Sequence, residues 1–321
     1  MVLSTWRTRR APTSSSRDGR PVDLQLVILA AGLGSRYGGM KQLEAVGPGG
    51  ATLMEYSLYD ARRAGFGEAI FVIRSDMEEA FAEFANARFG TGIPWRTAIQ
   101  RLEDVPTGVL VPPDRKKPWG TAHAVLAAAD RVHAPFAVLN ADDFYDAPSF
   151  SALAGHLRER AGDQPPSYAV VGFRLGDTVP EAGGVNRGWC RADSTGWLES
   201  VEEVIRIGPA PGGYAGSGES GPVVLPADAL VSMNLWGFTP AVFDTLRRGF
   251  VEFFRSGEPA RGEYLIPTVI RTTLERRECR VRVLDPGSRW FGVTHPADRP
   301  AVAAALQQLV RDGRYPERLW E

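Results

Sequence analysis

The sequence predicts an α/β fold built on a largely parallel sheet, and two observations carry this prediction. Short apolar runs alternate with helical segments through the first half of the chain, which is the pattern of βαβ units. The run at 24–30 is almost continuously apolar, as expected for a strand buried on both faces of a parallel sheet. The 321 residues, 44% of them hydrophobic, can fill one large domain or two small ones.

The first half of the chain carries the clearest alternation. Strands are predicted at 24–30, 69–74, 95–100 and 136–139, and helices at 53–64, 76–89 and 121–131. A glycine-rich turn follows the first strand, and a loop rich in proline and charge occupies 101–118. Successive strands joined through helices favour parallel pairing.

The alternation weakens after residue 167. Strands are predicted at 168–173, 231–238 and 280–284, hairpins around 183–207 and 208–224, and helices at 240–254, 264–276 and 300–310. No repeat or long linker divides the chain, so we expect one domain at 22–321, with a first half at 22–150 and a second half at 151–321. Residues 1–21 are polar and rich in Arg and Ser, which favours a disordered tail over the alternative of a transit peptide.

Composition excludes several functional classes. The formal net charge of -1 gives no global electrostatic basis for binding nucleic acid or an anionic membrane. Two distant cysteines are too few for a disulfide framework or a cysteine-built zinc site, and they fit a reducing, cytoplasmic location. No apolar run approaches the roughly 20 residues that span a bilayer. Oligomeric state leaves no signal in the sequence.

The turn after the first strand is the most informative segment. It reads Leu-Ala-Ala-Gly-Leu-Gly-Ser-Arg-Tyr-Gly-Gly-Met-Lys-Gln over 29–42. Ligands of open α/β sheets bind beyond the carboxyl ends of the strands, and glycines let backbone N–H groups approach phosphate oxygens. Arg36 and Lys41 add two cations beside that backbone. The segment therefore predicts a phosphate-binding loop.

Two familiar phosphate-binding patterns do not fit this turn. The Walker pattern fails because no glycine immediately precedes Lys41 and a glutamine follows it. The dinucleotide pattern fails because Tyr37 stands at its third glycine, and Asp76 comes too late to bind an NAD ribose. On composition alone, a glycine-rich loop with two solvated cations remains an open alternative.

The order of strand, glycines, arginine and lysine resembles the signature of nucleotidyltransferases that make sugar nucleotides, such as glucose-1-phosphate uridylyl- and thymidylyltransferases. The resemblance extends in patches over 24–310 and implies a Rossmann-like, three-layer, GT-A-like fold with a mostly parallel mixed sheet. It implies that Arg36 binds the triphosphate and that Lys41 stabilises charge at the transferred phosphorus. The implied nucleotide-binding residues of the loop are Ala30, Ala31, Gly32, Leu33, Gly34 and Ser35.

The fourth predicted strand ends in two adjacent aspartates. Taken alone, such a pair is usually a solvated turn or a helix N-cap. A carboxylate at the end of a strand and facing a phosphate loop is also well placed to hold Mg²⁺, which prefers oxygen ligands. The resemblance implies that Asp142 is the metal ligand, and we expect Asp143 to be its neighbour. Mg²⁺ is therefore the predicted cofactor.

The segment 117–125 resembles the family's Gly-Thr-x-His-Ala element, in which the glycine backbone contacts the nucleobase. The resemblance implies nucleotide-binding roles for Gly120 and Thr121, and it implies that Gln100 reads the base edge. By this analogy UTP or dTTP is the favoured triphosphate. His123 lies within a helix beside small residues, and a phosphate nucleophile needs no general base, so we interpret His123 as structural.

Two segments of the second half, 184–188 and 200–203, resemble the family's sugar-binding hairpin. The resemblance implies that Gly184 and Glu202 bind the sugar, so that 22–150 is expected to be the nucleotide-binding half and 151–321 the sugar-binding half. Asn234 is a polar residue within an apolar strand and needs a partner, which is either a backbone group or a sugar hydroxyl.

The chain departs from the family pattern at two positions. Many relatives have Trp-Leu-Asp near the C-terminal end, with the Asp as a second Mg²⁺ ligand, whereas this chain has Gly292 at that place. Many also have a Lys for the sugar phosphate where this chain has Glu203. Arg187 and Arg206 are the candidates for holding that phosphate, unless the acceptor is not a standard sugar 1-phosphate.

These observations together predict an enzyme that transfers a nucleotidyl group from a nucleoside triphosphate to a sugar 1-phosphate and releases pyrophosphate. The alternatives are a nucleotidyltransferase of the phosphocholine cytidylyltransferase or molybdopterin guanylyltransferase type, a glycosyltransferase of related fold, and a non-catalytic relative that only binds nucleotide. The departures at Gly292 and Glu203 weaken the substrate assignment and leave the phosphate-loop assignment intact.

Overall fold

A computed structural model describes residues 24–32, 44–90, 92–180, 184–255, 262–293 and 298–320. The strands of the first half are β1 (Leu24–Leu29), β2 (Phe66–Ile73), β3 (Trp95–Ile99), β4 (Phe136–Asn140) and β5 (Asp143–Phe144). The remaining strands are β6 (Ser167–Arg174), β7 (Val185–Ala192), β8 (Leu198–Ala210), β9 (Gly213–Gly218), β10 (Gly221–Leu225), β11 (Leu230–Phe238), β12 (Arg280–Leu284) and β13 (Phe291–Gly292). The helices are α1 (Leu53–Ala64), α2 (Glu78–Arg88), α3 (Thr121–Ala127), α4 (Ala147–Arg160), α5 (Val242–Arg255), α6 (Ile266–Glu275) and α7 (Arg299–Arg311).

The sheet has a parallel core and an antiparallel extension. Strands β3, β2, β1 and β4 lie side by side and parallel, so their carboxyl ends meet at one edge. Strand β11 runs antiparallel to β4, and β7, β8, β9 and β10 continue from it as antiparallel neighbours. Strand β6 also pairs with β11 and carries β12 parallel to itself. The predicted mixed sheet with its parallel core is confirmed.

Helices cover both faces of this sheet, which gives the predicted three layers. On one face α1, α2 and α4 contribute Met54, Phe81 and Leu153 to a buried apolar cluster. On the other face α3, α5 and α6 contribute Val125, Leu246 and Ile270 to a second cluster. Strands buried from both sides carry apolar residues at successive positions, which explains the continuous apolar runs of β1 and β2.

Some predicted boundaries need correction. The predicted helix at 121–131 ends as α3 at Ala127, because the amides of Ala128 and Ala129 turn to carbonyls three residues back. The predicted helix at 76–89 is a short 3₁₀ turn at Ser75–Met77 followed by α2. Helix α4 was not predicted from the sequence. Its signals are an Asp146 side chain that caps the first amide and a proline in the first turn.

Helix α7 packs against the first half of the chain. Its apolar residues Val302, Leu306 and Leu309 pack in a third cluster with Tyr56 of α1 and Phe144 of β5. Among the described helices, none combines the length and apolar character of a membrane span. The predicted tail at 1–21 lies outside the described residues.

Candidate active site

The candidate site lies at the edge where the parallel strands end. The backbone stays within the sheet just beyond β1, since the amide of Ala30 donates to the carbonyl of Val72 at 2.9 Å. The amide of Ala141 in turn donates to the carbonyl of Leu29 at 3.1 Å, which fixes the chain after β4 beside the chain after β1. Ala31 is buried and Gly32 is exposed. The predicted residues Leu33, Gly34, Ser35, Arg36 and Lys41 lie outside the described residues.

Arg74, at the end of β2, is a site residue that the sequence reasoning missed. Its guanidinium approaches the carbonyl oxygen of Gly32 at 3.5 Å, where the glycine-rich segment begins. The same guanidinium makes two hydrogen bonds to Asp76, at 2.9 and 2.8 Å. The available signal was a cation directly after a buried strand, next to the strand that carries the phosphate loop.

Gln100 belongs to a hydrogen-bonded network at the end of β3. Its Nε2 donates to the carbonyl oxygen of Gly120 at 3.3 Å and contacts Nδ1 of His123 at 3.1 Å. His123 Nε2 lies 3.0 Å from the carbonyl oxygen of Asp104, which can only accept, so Nε2 carries the proton and Nδ1 accepts from Gln100. Burial lowers the pKa of His123 to about 4, so the ring is neutral near pH 7. These contacts support the structural interpretation of His123.

The backbone at Gly120 has a conformation reserved for glycine. Its φ of 114° and ψ of -178° lie where a side chain is not tolerated, and an added Cβ would stand 2.6 Å from the carbonyl oxygen of Tyr264. Thr121 begins α3, and its hydroxyl accepts the amide of Ile266 at 3.1 Å. The predicted base-binding turn is therefore fixed against the segment that leads into α6.

The polar groups after β4 are held in defined orientations. Asn140 donates from Nδ2 to Oδ2 of Asp143 at 2.8 Å, and the Tyr145 hydroxyl lies 3.1 Å from the same oxygen. The Tyr145 hydroxyl also accepts the amide of Asn140 and lies 2.9 Å from the carbonyl oxygen of Met233. Asp142 is half-buried and Asp143 is buried. The two carboxylates thus stand at the carboxyl end of the central strands, where the resemblance placed a metal ligand.

Asp143 has an unusual electrostatic environment. Burial raises its pKa to about 7, and the charge of Asp142 adds to the rise. Hydrogen bonds from Asn140 and Tyr145 and the charge of Arg187 oppose it. A buried carboxyl with such a shift, next to a second carboxylate, is typical of a functional site.

Strand β13 closes this side of the site. It pairs antiparallel with β5, so that Gly292 lies opposite Asp143. A Cβ added at Gly292 would overlap Oδ1 of Asp143 and would stand 3.0 Å from the Trp290 ring. The absence of a side chain at position 292 is therefore what leaves room for the Asp143 carboxylate.

Asn234 connects β11 to the same polar group. Its Nδ2 donates to Oδ1 of Asn140 at 2.8 Å, and Asn140 in turn holds Asp143. Its φ of 66° is unusual for a residue other than glycine, and the register between β11 and β6 shifts at this point. The side chain of Asn234 is thus directed at the candidate site rather than at a backbone group.

Glu202 and Glu203 of β8 have different neighbours, because successive side chains of a strand point to opposite faces of the sheet. The Glu202 carboxylate accepts the amide of Glu219 at 2.8 Å and so engages the turn between β9 and β10. Glu203 faces Gly188 of β7, and its charge interacts with that of Arg187. Gly184 is exposed, and an added Cβ would stand 3.3 Å from the Arg206 backbone.

Arg187 places a cation near Asp143 of the candidate site. Its Nε donates to the Thr178 hydroxyl at 3.2 Å, Nη2 donates to the Thr178 carbonyl at 2.6 Å, and the guanidinium lies 5.2 Å from the centre of the Trp290 ring. Its charge acts on Asp143 and on Glu203. Arg206, the other candidate for a phosphate contact, is exposed, and its amide binds the Asn186 side chain.

Comparison with protein families matches residues 26–174 to the MobA-like NTP transferase domain. This segment of the chain is therefore similar to NTP transferase domains. The matched segment runs from β1 to β6 and contains the glycine-rich loop, Arg74, Gln100, the Gly120 turn and both aspartates. The prediction of the nucleotidyltransferase class is therefore confirmed. No curated protein matches the sequence.

Solved structures extend the similarity beyond the NTP transferase domain to most of the chain. A UDP-glucose pyrophosphorylase complexed with UDP-glucose is 17% identical, with a TM-score of 0.56 over 88% of this chain and 98% of that one. An inositol-1-phosphate CTP transferase from T. maritima is 12% identical, with a TM-score of 0.54 over 86% and 91%. A structure assigned to a glucose-1-phosphate thymidylyltransferase from Bacillus anthracis, in complex with sucrose, is 14% identical, with a TM-score of 0.54 over 88% and 95%. At these identities the likeness establishes the fold.

The NTP transferase domain offers a donor set that fits Mg²⁺. This ion commonly takes one or two protein carboxylates and completes its shell with water and substrate phosphate. Asp142 and Asp143 supply two carboxylates at the strand ends, beside the start of the glycine-rich segment. Among the described residues, no group of three or more His, Cys, Asp or Glu could form an all-protein cage. The arrangement thus suits a metal shared with a phosphate ligand.

Proposed function

We propose that this protein transfers a nucleotidyl group from a nucleoside triphosphate to a sugar 1-phosphate, with Mg²⁺, and releases an NDP-sugar and pyrophosphate. The observation that carries the proposal is the convergence of four chain segments at one sheet edge. These segments are the start of the glycine-rich loop at Gly32, the Gln100–Gly120 network, the aspartates after β4 and Asn234 of β11. Such an edge is where open α/β sheets bind their ligands.

The triphosphate is proposed to bind along the loop that follows β1. The Ala30 amide is already bound to the Val72 carbonyl, so the predicted role of Ala30 as a phosphate donor is wrong. Backbone N–H groups from Ala31 to Ser35 would approach the phosphate oxygens, and Arg36 would bind the β- and γ-phosphates. Arg74 supports this assignment, because its guanidinium reaches the Gly32 carbonyl and so places a cation where the glycine-rich segment begins. Lys41 would neutralise charge that gathers at the α-phosphorus.

The base is proposed to lie over Gly120 and against Gln100, with Thr121 fixing the turn. The Gly120 carbonyl can only accept, so it fixes the amide group of Gln100 with Nε2 toward Gly120. Oε1 of Gln100 then remains available to accept a hydrogen bond from a ligand, since it makes none within the described chain. An acceptor at this place matches the N3–H of uracil or thymine, whereas cytosine presents an unprotonated N3. This orientation supports UTP or dTTP.

The acceptor is proposed to lie between β7, β8 and β11. Arg187 is the stronger candidate for its phosphate, because it lies near Asp143 while Arg206 is exposed on the strand edge. Each terminal nitrogen of Arg187 keeps a second N–H beyond its bonds to Asn186 and Thr178. Asn234 would bind a sugar hydroxyl, and Gly184 and Glu202 stay predictions for the sugar side.

The proposed reaction is an in-line displacement. A phosphate oxygen of the acceptor attacks the α-phosphorus, a P–O bond forms, and the bond to the pyrophosphate oxygen breaks. The protein's contribution is positioning and charge stabilisation, because the nucleophile is already an anion. Asp142 would hold Mg²⁺, which supplies a Lewis acid for phosphate charge.

The test is a matrix of triphosphates and acceptors scored by pyrophosphate release. UTP or dTTP with glucose 1-phosphate or a related sugar 1-phosphate should release pyrophosphate in the presence of Mg²⁺, and EDTA should abolish the release. Turnover only with CTP and phosphocholine, or only with GTP and a molybdopterin, would replace the sugar 1-phosphate. Hydrolysis of a ready-made sugar nucleotide without pyrophosphate would indicate a glycosyltransferase. Calorimetric nucleotide binding with no turnover in any pair would indicate a non-catalytic relative.

A further inference from the structure

The Asp143 carboxylate has one hydrogen-bonded oxygen, Oδ2, and one, Oδ1, that lies beside Gly292. Oδ2 receives the Asn140 amide at 2.8 Å and lies 3.1 Å from the Tyr145 hydroxyl. Oδ1 receives no hydrogen bond from any described residue, and it is not among the fully enclosed atoms of the described chain, although the residue is only 8% exposed. Oδ1 is therefore an acceptor with a remaining opening, and a cation is a partner that a carboxylate oxygen of this kind can bind.

The direction of Oδ1 is fixed from three sides. Asn140 and Tyr145 hold the other oxygen, and the Ser57 hydroxyl donates to the Asp143 carbonyl at 3.3 Å. The β5–β13 pairing then places Gly292 directly opposite, where an added Cβ would overlap Oδ1. The carboxylate therefore occupies the volume from which a side chain at position 292 would project.

Two facing strands can thus deliver a carboxylate to the same place. An aspartate at 292 would enter from β13, whereas Asp143 enters from β5 and needs a glycine at 292 for its own room. We propose that Asp143 is a metal ligand beside Asp142 and supplies the second carboxylate that position 292 lacks. Compared with a chain that has an aspartate at 292, the carboxylate here comes from β5 instead of β13, and the glycine at 292 makes room for it.

This inference rests on the proposed function, since it concerns the metal of the same site. On this inference Gly292 is not a sign of a degenerate enzyme. The glycine does not remove a ligand from the metal but admits one from the neighbouring strand.

The test measures Mn²⁺ binding to the full chain by electron paramagnetic resonance, without nucleotide and without turnover. Mn²⁺ accepts the same oxygen ligands as Mg²⁺. Asp143→Asn keeps the shape of the side chain and removes its charge, and we expect the Kd for Mn²⁺ to rise by about tenfold or more. Asp130→Asn removes the same charge in the exposed turn after α3 and should leave the Kd unchanged.

A reciprocal exchange separates loss of a ligand from loss of folding. The double variant Asp143→Ser with Gly292→Asp returns the carboxylate from β13, and its Kd for Mn²⁺ should come back to within about threefold of wild type. Gly292→Asp alone should not strengthen binding, because its Cβ would collide with Asp143. Thermal unfolding without metal reports whether each variant is folded.

Unchanged Mn²⁺ affinity in folded Asp143→Asn would overturn the inference, and so would a wild-type protein that binds no Mn²⁺. Failure of the double variant, when folded, to regain affinity lost by Asp143→Asn would also overturn it. A protein that binds Mn²⁺ through Asp143 but releases no pyrophosphate with any substrate pair would sink the proposed function and support this inference.

Discussion

At the scale of single residues, the partner of one polar atom decides what the other atom of the same group can bind. The carbonyl of Gly120 fixes the Gln100 amide, and the Asn140 amide fixes the Asp143 carboxylate. Each leaves one oxygen, Oε1 of Gln100 and Oδ1 of Asp143, without a hydrogen bond from the described residues. Ligand preference at this site therefore depends on neighbours that need not touch the ligand.

Gln100→Ala is expected to weaken discrimination between bases. The variant removes one acceptor from the base edge, and a neutral hydrogen bond contributes roughly 1–2 kcal/mol, so kcat/KM for UTP should fall about tenfold. The kcat/KM for CTP should change less, because cytosine has no N3–H to lose. Parallel pyrophosphate-release assays with both triphosphates check this. Equal losses for the two would indicate that Gln100 serves only to position His123.

Lys41→Ala is expected to lower turnover while the protein stays folded. Loss of one charge contact to the transferred phosphate costs roughly 3 kcal/mol or more, on the order of 10²–10³ in kcat. The matched control is Lys116→Ala, which removes an exposed lysine from the loop before the Gly120 turn and should keep wild-type kcat. Steady-state kinetics with saturating triphosphate decide the matter. Wild-type kcat in Lys41→Ala would refute its role.

A candidate site could be proposed from sequence where a motif is contiguous. Asp142 and the Gly120 turn are short segments beside recognisable strands, whereas the glycine-rich turn beyond Gly32 lies outside the described residues and stays a prediction. Arg74 and the Asp143–Gly292 exchange were not predictable in this way, because they depend on which strands are neighbours and in what register. From the sequence, Gly292 indicates only that a carboxylate is missing at this position. The structure places Gly292 opposite Asp143, where the missing side chain leaves room for the Asp143 carboxylate.

At the scale of elements, the turn before α3 is the most constrained connection of the site. Tyr264 and Trp119 are joined through their backbones, Ala122 donates to the Tyr264 carbonyl at 3.0 Å, and the Trp119 indole donates to the Leu102 carbonyl at 2.9 Å. The Gly120 backbone is pressed between these contacts. The conformation of the turn at Gly120 therefore depends on its contacts with the chain before α6.

Gly120→Ala is expected to destabilise the fold by roughly 3 kcal/mol, because a Cβ meets both an unfavourable backbone conformation and the Tyr264 carbonyl. Gly108→Ala is the matched control. It also introduces a Cβ at positive φ, +83°, but nothing lies within 4 Å of it. Urea unfolding of both variants gives the free energies of unfolding. A loss no larger than that of Gly108→Ala would show that the turn can relax.

Elements were predictable where periodicity was strong and less so where it was interrupted. Strands β1, β2 and β4 of the parallel core are largely apolar and β3 is mixed, and each was predicted near its observed bounds. Helix α4 was missed although its capping aspartate and early proline are start signals. The end of α3 depends on a switch to tighter hydrogen bonds that residue type does not encode.

At the scale of the whole molecule, polar contacts tie the C-terminal region to α1 and to the start of α4. The Tyr315 hydroxyl donates to Oδ2 of Asp60 in α1 at 2.6 Å, and Arg314 pairs with Asp146 at 2.5 Å. Oδ1 of Asp60 is buried without a hydrogen bond among the described residues. Burial raises the pKa of Asp60 to about 7, partly offset by the Tyr315 hydrogen bond.

This raised pKa gives a signed prediction for stability. Between the ordinary value of 3.8 and about 7 the folded state holds a proton that the unfolded state has lost, so stability falls as pH rises through this window. Asp60→Asn cannot ionise, and its stability relative to wild type should therefore increase by on the order of 3 kcal/mol between about pH 4 and about pH 8. Urea unfolding across that range measures the difference.

The comparison of the two proteins at each pH cancels other titrating groups, including His123. Asp130→Asn, at an exposed position, should follow the wild-type curve at every pH. A constant difference between Asp60→Asn and wild type across the range would mean that Asp60 ionises equally in the folded and unfolded chains.

Strand β11 has a consequence for how the chain can be divided. Its last residues, Trp236–Phe238, pair with β4, and its first residues, Val231 and Ser232, pair with β6 and β7. A cut near residue 150 would separate β4 from β11 and leave an unpaired apolar strand edge on the amino-terminal fragment. Neither fragment would be an autonomous folding unit, and only complementation of the two would rebuild the sheet.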